Sequence, residues 1–397
     1  MKKSKLKTKY KIIGLLLLFV IGFGSAFFLF KARTFEDKKP SPVTKEDVSS
    51  PPLEEPKREE YHLTLGMIGD ALYHTGTYKD GLKSDGTYNY DHQLDDIRPL
   101  VKDYDLAYYN QETVLGGKEL GLSSYPCFNS PQEVGDAFVK AGFNLVSLAN
   151  NHTLDKGTKA ILNSVAYWRN QTSVMTAGSY DSESDRSRVH IGEKNGITYA
   201  FLAYTYGTNG IPVPKGKEYV VNLFSKEQAK KDIEAVRDKV DVVLVAMHWG
   251  VEYTHTPTKE QRDWAQFLSG LGVDVIIGSH PHVIQPIEFI DDTLVIYSLG
   301  NFISGQEDLM KKIGLIASVD IHKVVEDGKS TITLDQVKGD LLYTYHRGHK
   351  GYRVIPFYKL TNKELLDDVT KVKTQYESIL NKTNHPKIKI GTLGLAS

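Results

Sequence analysis

Cysteine is almost absent from this chain: Cys127 is the only one among 397 residues. A single thiol cannot close an intramolecular disulfide or build a thiolate cage, so any metal must be held by imidazole, carboxylate and amide oxygen. Net charge is missing too. The 49 lysines and arginines equal the 49 aspartates and glutamates, which removes the electrostatic reason to propose nucleic acid as a partner. No internal repeat is visible. Large apolar residues nearly vanish between residues 31 and 60, where Pro40, Pro42, Pro51, Pro52 and Pro56 alternate with Glu, Lys and Ser. Such a segment cannot bury enough surface to order itself and reads as a tether lifting a folded domain off a membrane.

One long uncharged stretch is present, Ile12 to Phe30, behind a basic tail (residues 1–11) carrying Lys2, Lys3, Lys5, Lys7, Lys9 and Lys11. As a helix it would reach about 28 Å, close to a bilayer core. The lysines hold the cytoplasmic side and send everything after Phe30 outward. The rival reading is a cleaved signal peptide with Gly24-Ser25-Ala26 as its cleavage site. Phe27-Phe28-Leu29-Phe30 continues the apolar run beyond it, which favours an uncleaved anchor. No cysteine directly follows the run, so a lipidated N-terminus is not available. The expectation is a single-pass protein of the cytoplasmic membrane with its globular domain outside.

The rest alternates strand and helix patterns. Strands are expected at Leu63 to Ile68, Leu106 to Tyr109, Leu145 to Ala149, Thr198 to Tyr204, Val242 to Met247, Val273 to Gly278 and Leu294 to Ser298. Helices are expected at Pro131 to Ala141, Lys156 to Gln171, Lys226 to Lys239 and Lys259 to Leu271. Continuous apolar strands separated by helices indicate a sheet covered on both faces, hence an α/β fold. Beyond Gly305 the pattern loosens. Ile313 to Ile321 and Thr331 to Val337 pair around the turn Glu326-Asp327-Gly328, and residues 362–380 form an amphipathic helix. This C-terminal part (306–397) is assigned to packing and shape, with no chemistry in it.

The chemistry collects where the apolar runs stop. Gly69-Asp70-Ala71-Leu72-Tyr73-His74 ends the first, Asn110-Gln111-Glu112 the second and Asn150-Asn151-His152-Thr153-Leu154-Asp155 the third. His248-Trp249-Gly250 and Gly278-Ser279-His280-Pro281-His282 end two more. Open α/β sheets place ligands at strand carboxyl ends, and imidazole is the commonest protein metal ligand. Each group has a bland alternative. Asp70 could cap a turn, Glu112 could be a solvated loop charge, and His248 alone could be a hydrogen-bonded core histidine. Independent accidents would not put all five at strand ends. Two carboxylates, an amide and four histidines exceed one tetrahedral centre, so two divalent ions are expected, manganese, iron or zinc.

Taken in order, these motifs, with Tyr297-Ser298-Leu299-Gly300-Asn301-Phe302 after them, resemble the CapA proteins of bacterial poly-γ-glutamate capsule synthesis. That family looks like a branch of the calcineurin-like metallophosphoesterases. The resemblance covers residues 61–305. It implies a layered sandwich with central β-sheets flanked by helices, here preceded by one transmembrane helix. Carried over residue by residue, Asp70 would bind one metal and Glu112 would bridge both. Asn151, His248 and His280 would complete the second site, and His282 would return to the first. His152 would act as general acid beside the metals. His74, Asn110, Asn150, Asp155 and Asn301 would be further ligands or support the ligands. The sequence departs from the phosphoesterase pattern in two places: Leu72 stands where a histidine is usual, and Glu112 replaces an aspartate. The resemblance implies capsule polymer synthesis or export, with membrane-embedded synthesis proteins and an anionic polymer such as poly-γ-glutamate as partners. Alternatives are hydrolysis of another envelope phosphoester, or a non-catalytic place in an envelope assembly complex.

Overall fold

The computed structural model describes residues 57–188, 190–361 and 365–394. The basic tail, the expected anchor at 12–30 and nearly all of the linker lie outside the described residues. Among the described residues no helix is long and apolar enough to cross a membrane.

Two sheets form the centre. The first runs β14 (Lys350–Pro356), β13 (Lys329–Arg347), β12 (Ile313–Glu326), β1 (Arg58–Leu72), β2 (Leu106–Asn110), β3 (Leu145–Ser147) and β4 (Met175–Ala177). β11 (Asn301–Ser304) joins the end of β1 in parallel, and β15 (Ile388–Ile390) joins β13. The second runs β5 (Ile191–Lys194), β6 (Ile197–Thr205), β7 (Val242–His248), β8 (Val275–Ser279), β10 (Thr293–Ile296) and β9 (Ile287–Ile290). β1 to β4 are mutually parallel, as are β6, β7, β8 and β10.

Strand alternation explains the layers. Leu63, Leu65 and Met67 of β1 share one buried core with Phe201 and Ala203 of β6 and Leu244 and Ala246 of β7, between the sheets. The opposite faces are covered by helices. Val134 and Phe138 of the helix Glu133–Ala141 pack with Ile68, Tyr109 and Val146. Ile233 of Lys226–Val236 and Leu268 of Lys259–Ser269 pack with Val243, Val245 and Ile276. Strands buried on both faces must be apolar throughout, which is why β7 and β8 read as unbroken runs. The result is a mixed α/β sandwich of two central sheets between helical layers.

The C-terminal third belongs to this frame. β12 pairs antiparallel with β1 from Arg58 opposite Glu326 to Ile68 opposite Ile316. The helix Val369–Leu380 buries Val372, Tyr376 and Leu380 in the inter-sheet core. β13 runs on to Arg347, well past the expected end at Val337. A register shift near Asp335, with Gln336 at φ +51°, breaks its alternation and conceals the continuation. β4, β5, β9, β11 and β15 are too short to show a period.

What matters for the site is register. Asp70 lies opposite Asn110 on β2 and Asn301 on β11, and His248 lies opposite Ser279 on β8. β1 and β11 can approach this closely because residue 69 is glycine: a Cβ there would lie 1.8 Å from the Gly300 carbonyl oxygen. Residue 278 is glycine for the same reason, since a Cβ would lie 2.0 Å from the Tyr297 carbonyl.

Candidate metal centre

The parallel strands of both sheets end on one rim, and their last residues meet there. Asn110 Nδ2 donates to Asp70 Oδ1 at 2.9 Å, within the first sheet. The His280 amide, from the second sheet, donates to Asp70 Oδ2 at 3.3 Å. Asp70, Glu112, Asn151, His248, His280 and His282 are all buried.

Two ligand trios share one carboxylate. In Asp70, Glu112 and His282, and again in Glu112, His248 and His280, one donor atom per residue lies within 4.8 Å of the others. Glu112 Oε1 is 3.7 Å from His248 Nε2 and 3.6 Å from His282 Nε2. Asn151 Oδ1 faces His248 Nε2 at 2.9 Å, which adds an amide oxygen to the second trio. The structure thus brings Asp70, Glu112, Asn151, His248, His280 and His282 together at this rim.

The polar atoms left over show that the pocket fits a cation. Both Glu112 oxygens, Asn110 Oδ1 and His280 Nδ1 are buried with no hydrogen-bond partner among the described residues. An unpaired buried carboxylate is costly, so these oxygens call for positive charge. Burial pushes the Glu112 carboxyl well above its ordinary range. Burial lowers the His282 imidazole, but Glu112 and Asp70 outweigh it and carry it up to about 9. His248 and His280 are lowered by burial, His280 to about 3, and stay neutral with lone pairs available as ligands.

The supporting residues fix these rings. Asn301 Nδ2 donates to Gln306 Oε1 and to the Lys311 carbonyl, so its Oδ1 accepts from His282 Nδ1 at 3.0 Å. That bond holds the proton on Nδ1 and leaves Nε2 toward Glu112. His280 and His282 adopt φ of +97° and +56°, a strained turn that points both rings inward. Ser279 Oγ lies 2.9 Å from His248 Nδ1.

His152 stands beside the trios and belongs to neither of them. Its Nδ1 lies 2.7 Å from Asp155 Oδ2, which also accepts the Phe128 amide at 2.7 Å. Asn150 uses both ends of its amide locally, donating to the Gln111 carbonyl and accepting the His152 amide. It shapes the loop and has nothing left for an ion. His74 is likewise engaged: its Nδ1 lies 3.1 Å from the Leu72 carbonyl and 3.2 Å from the Gly305 amide, and burial lowers its pKa to about 4. It joins no trio and does not replace the histidine missing at Leu72.

Glu252 and Tyr206 were missed by sequence reasoning. Glu252, exposed at the mouth, forms a further trio with His280 and His282. Tyr206 and Tyr253 flank the opening, with ring centroids 4.7 Å from His280 and 6.1 Å from His282. Glu252 sits four residues after His248 in a loop with no strand pattern, so no periodicity marked it. Trp249 is core: it is fully buried and donates to the Tyr297 carbonyl.

The family described as bacterial capsule synthesis protein PGA_cap matches residues 64–306. The PGA biosynthesis protein CapA of Bacillus subtilis is 32% identical over 174 residues, 41% of this chain and 43% of that one. The capsule biosynthesis protein CapA of Bacillus anthracis is 26% identical over 263 residues, 63% of this chain and 61% of that one. The chain thus spans less than two thirds of the length of either relative. Among solved structures, the calcineurin-like phosphoesterase YfkN of Bacillus subtilis overlaps 71% of this chain and 91% of its own, at 15% identity and a TM-score of 0.45. That likeness is too distant to assign a shared fold. With more than half of its residues matched, including each residue of both trios, the chain belongs to the PGA_cap family of bacterial capsule synthesis proteins.

Proposed function

We propose that this protein works on the outer side of the cytoplasmic membrane in the synthesis or export of a capsule polymer, poly-γ-glutamate, through a two-cation centre of hydrolase type. The observation that carries this reading is Glu112, a buried carboxylate shared by two ligand trios with both oxygens unpartnered. Asp70, Glu112 and His282 would hold one divalent ion, and Glu112, Asn151, His248 and His280 the other. Cations held there supply Lewis-acid polarisation of a substrate oxygen and a water acidified toward neutrality.

The chain's own residues do the rest. The His152 Nδ1–H hydrogen-bonds to Asp155, which orients the ring and leaves Nε2 as the nitrogen that would pass a proton to a leaving group. The carboxylates of poly-γ-glutamate are natural partners for a cationic pocket, and Tyr206 and Tyr253 give its mouth two flat walls. The anchor at residues 12–30 would hold the domain beside membrane-embedded synthesis proteins. A second reading, a non-catalytic subunit of an envelope assembly, is favoured by one observation: His74 stays out of the ligand set, so the first site has fewer donors than the phosphoesterase pattern supplies.

The test uses the full chain. Its bound metals are counted, and turnover is assayed on poly-γ-glutamate and on generic phosphodiesters with manganese, zinc or iron. Hydrolysis that His152→Ala loses while keeping its metal supports the catalytic reading. Turnover of phosphodiesters alone moves the substrate to another envelope phosphoester. Inertness on every substrate, with polymer production in cells abolished by Glu112→Ala, decides for the assembly reading.

A further inference from the structure

A second histidine cluster lies on the same rim and shares no residue with the centre. Glu307 follows β11, His346 is the last residue but one of β13, and His349 occupies the turn into β14. One donor atom from each lies within 4.8 Å of the other two. Glu307 Oε1 is 3.2 Å from His349 Nε2, and its Oε2 is 3.5 Å from His346 Nε2. The His346 side chain is only 3% exposed, yet its Nε2 has no hydrogen-bond partner among the described residues. Tyr352 stacks on the His346 ring at 4.5 Å and holds it in place. The Tyr352 hydroxyl lies 3.2 Å from His349 Nδ1, where it can accept that proton and leave Nε2 as a lone pair.

We infer that Glu307, His346 and His349 form a separate binding site for one divalent ion of the zinc class. Two imidazoles and one carboxylate are a donor set for zinc, nickel or copper rather than for magnesium or calcium. Two features oppose binding and set its strength. Lys312 Nζ lies 2.9 Å from Glu307 Oε2, so an ion takes Oε1, which a carboxylate can offer while it keeps its lysine. His346 Nδ1 accepts the His349 amide at 3.3 Å, so binding through Nε2 moves the ring proton to Nδ1 and hands that amide to water. Both costs make this site weaker than the buried centre.

The site has a structural consequence. Glu307 is joined to Gln306, and the segment that follows reaches Lys311; Gln306 Oε1 and the Lys311 carbonyl hold the amide of Asn301, which orients His282. An ion fixing Glu307 to the β13–β14 turn therefore fastens the segment that supports a ligand of the centre.

Equilibrium dialysis of the full chain against zinc chloride, with the retained ions counted, tests this directly. Wild type is expected to hold one ion more per chain than either His349→Ala or Glu307→Gln, with affinity at this site reduced more than about tenfold in each variant. His349 is 56% exposed, so its variant should fold, and an unchanged melting temperature without zinc checks this. Glu112→Gln should retain the extra ion. Equal zinc retention by wild type, His349→Ala and Glu307→Gln overturns the inference, as does loss of the extra ion in Glu112→Gln.

Discussion

The buried centre around Glu112 and the rim trio around Glu307 both join a glutamate to histidines, yet their surroundings make them different devices. Glu112 is fully buried and both of its oxygens lack partners, whereas Glu307 is 55% exposed and already paired with Lys312. A buried unpaired carboxylate penalises the fold until a cation meets it. An exposed carboxylate with a lysine beside it gains little from any partner. Ligand identity therefore names a candidate site, and desolvation decides how strongly it asks for an ion.

Glu112→Gln should break this contrast most completely. It removes the carboxylate common to both trios, so both central ions should be lost while the rim trio is untouched. Metal present at 1,000 times its dissociation constant stabilises wild type by about 4 kcal/mol per ion. The variant should lose that gain, as read by melting with and without manganese. Without metal, the variant should melt no lower than wild type, because a buried carboxyl whose two oxygens lack hydrogen-bond partners has been removed.

His152→Ala comes next. On the catalytic reading, turnover should fall by about 10²–10⁴ with metal content unchanged, since this side chain lies outside both trios. Kinetics together with ion counting check both halves.

Asn301→Ala sharpens the comparison further, because it touches no ion. Loss of the bond that fixes the His282 tautomer should weaken metal binding about 10–100-fold, as read by competition with a chelating dye. An affinity equal to wild type would show that His282 needs no such support. Smallest of all is Glu307→Gln, which should lose the rim ion, keep both central ions bound, and weaken their binding less than Asn301→Ala does.

These residues were not equally legible in the sequence. Ligands at strand carboxyl ends could be read because apolar runs locate the strands and parallel α/β topology brings their ends to one edge. Asp70, Glu112, His248, His280 and His282 followed from that rule. Register did not. That Asp70 faces Asn110 and Asn301, or that His248 faces Ser279, depends on sheet order and on β11 joining β1, and no local pattern carries either. Glu252 and Tyr206 were missed because they lie on loops. The C-terminal third was read as packing alone, and its strands and helix do pack. Its histidines went unremarked because their carboxylate partner comes from the other side of β12 in the chain. His74 looked like a stand-in for the histidine absent at Leu72, and backbone groups of Leu72 and Gly305 occupy its Nδ1 instead.

Two cations gathered around the Glu112 carboxylate are what every proposed role in the centre depends on. Crystals of the full chain grown with manganese, with diffraction recorded at the manganese edge, test that claim most directly. Two anomalous peaks about 3.5–4 Å apart, both within coordinating reach of Glu112, are the predicted result. A single peak there, or none, would contradict it.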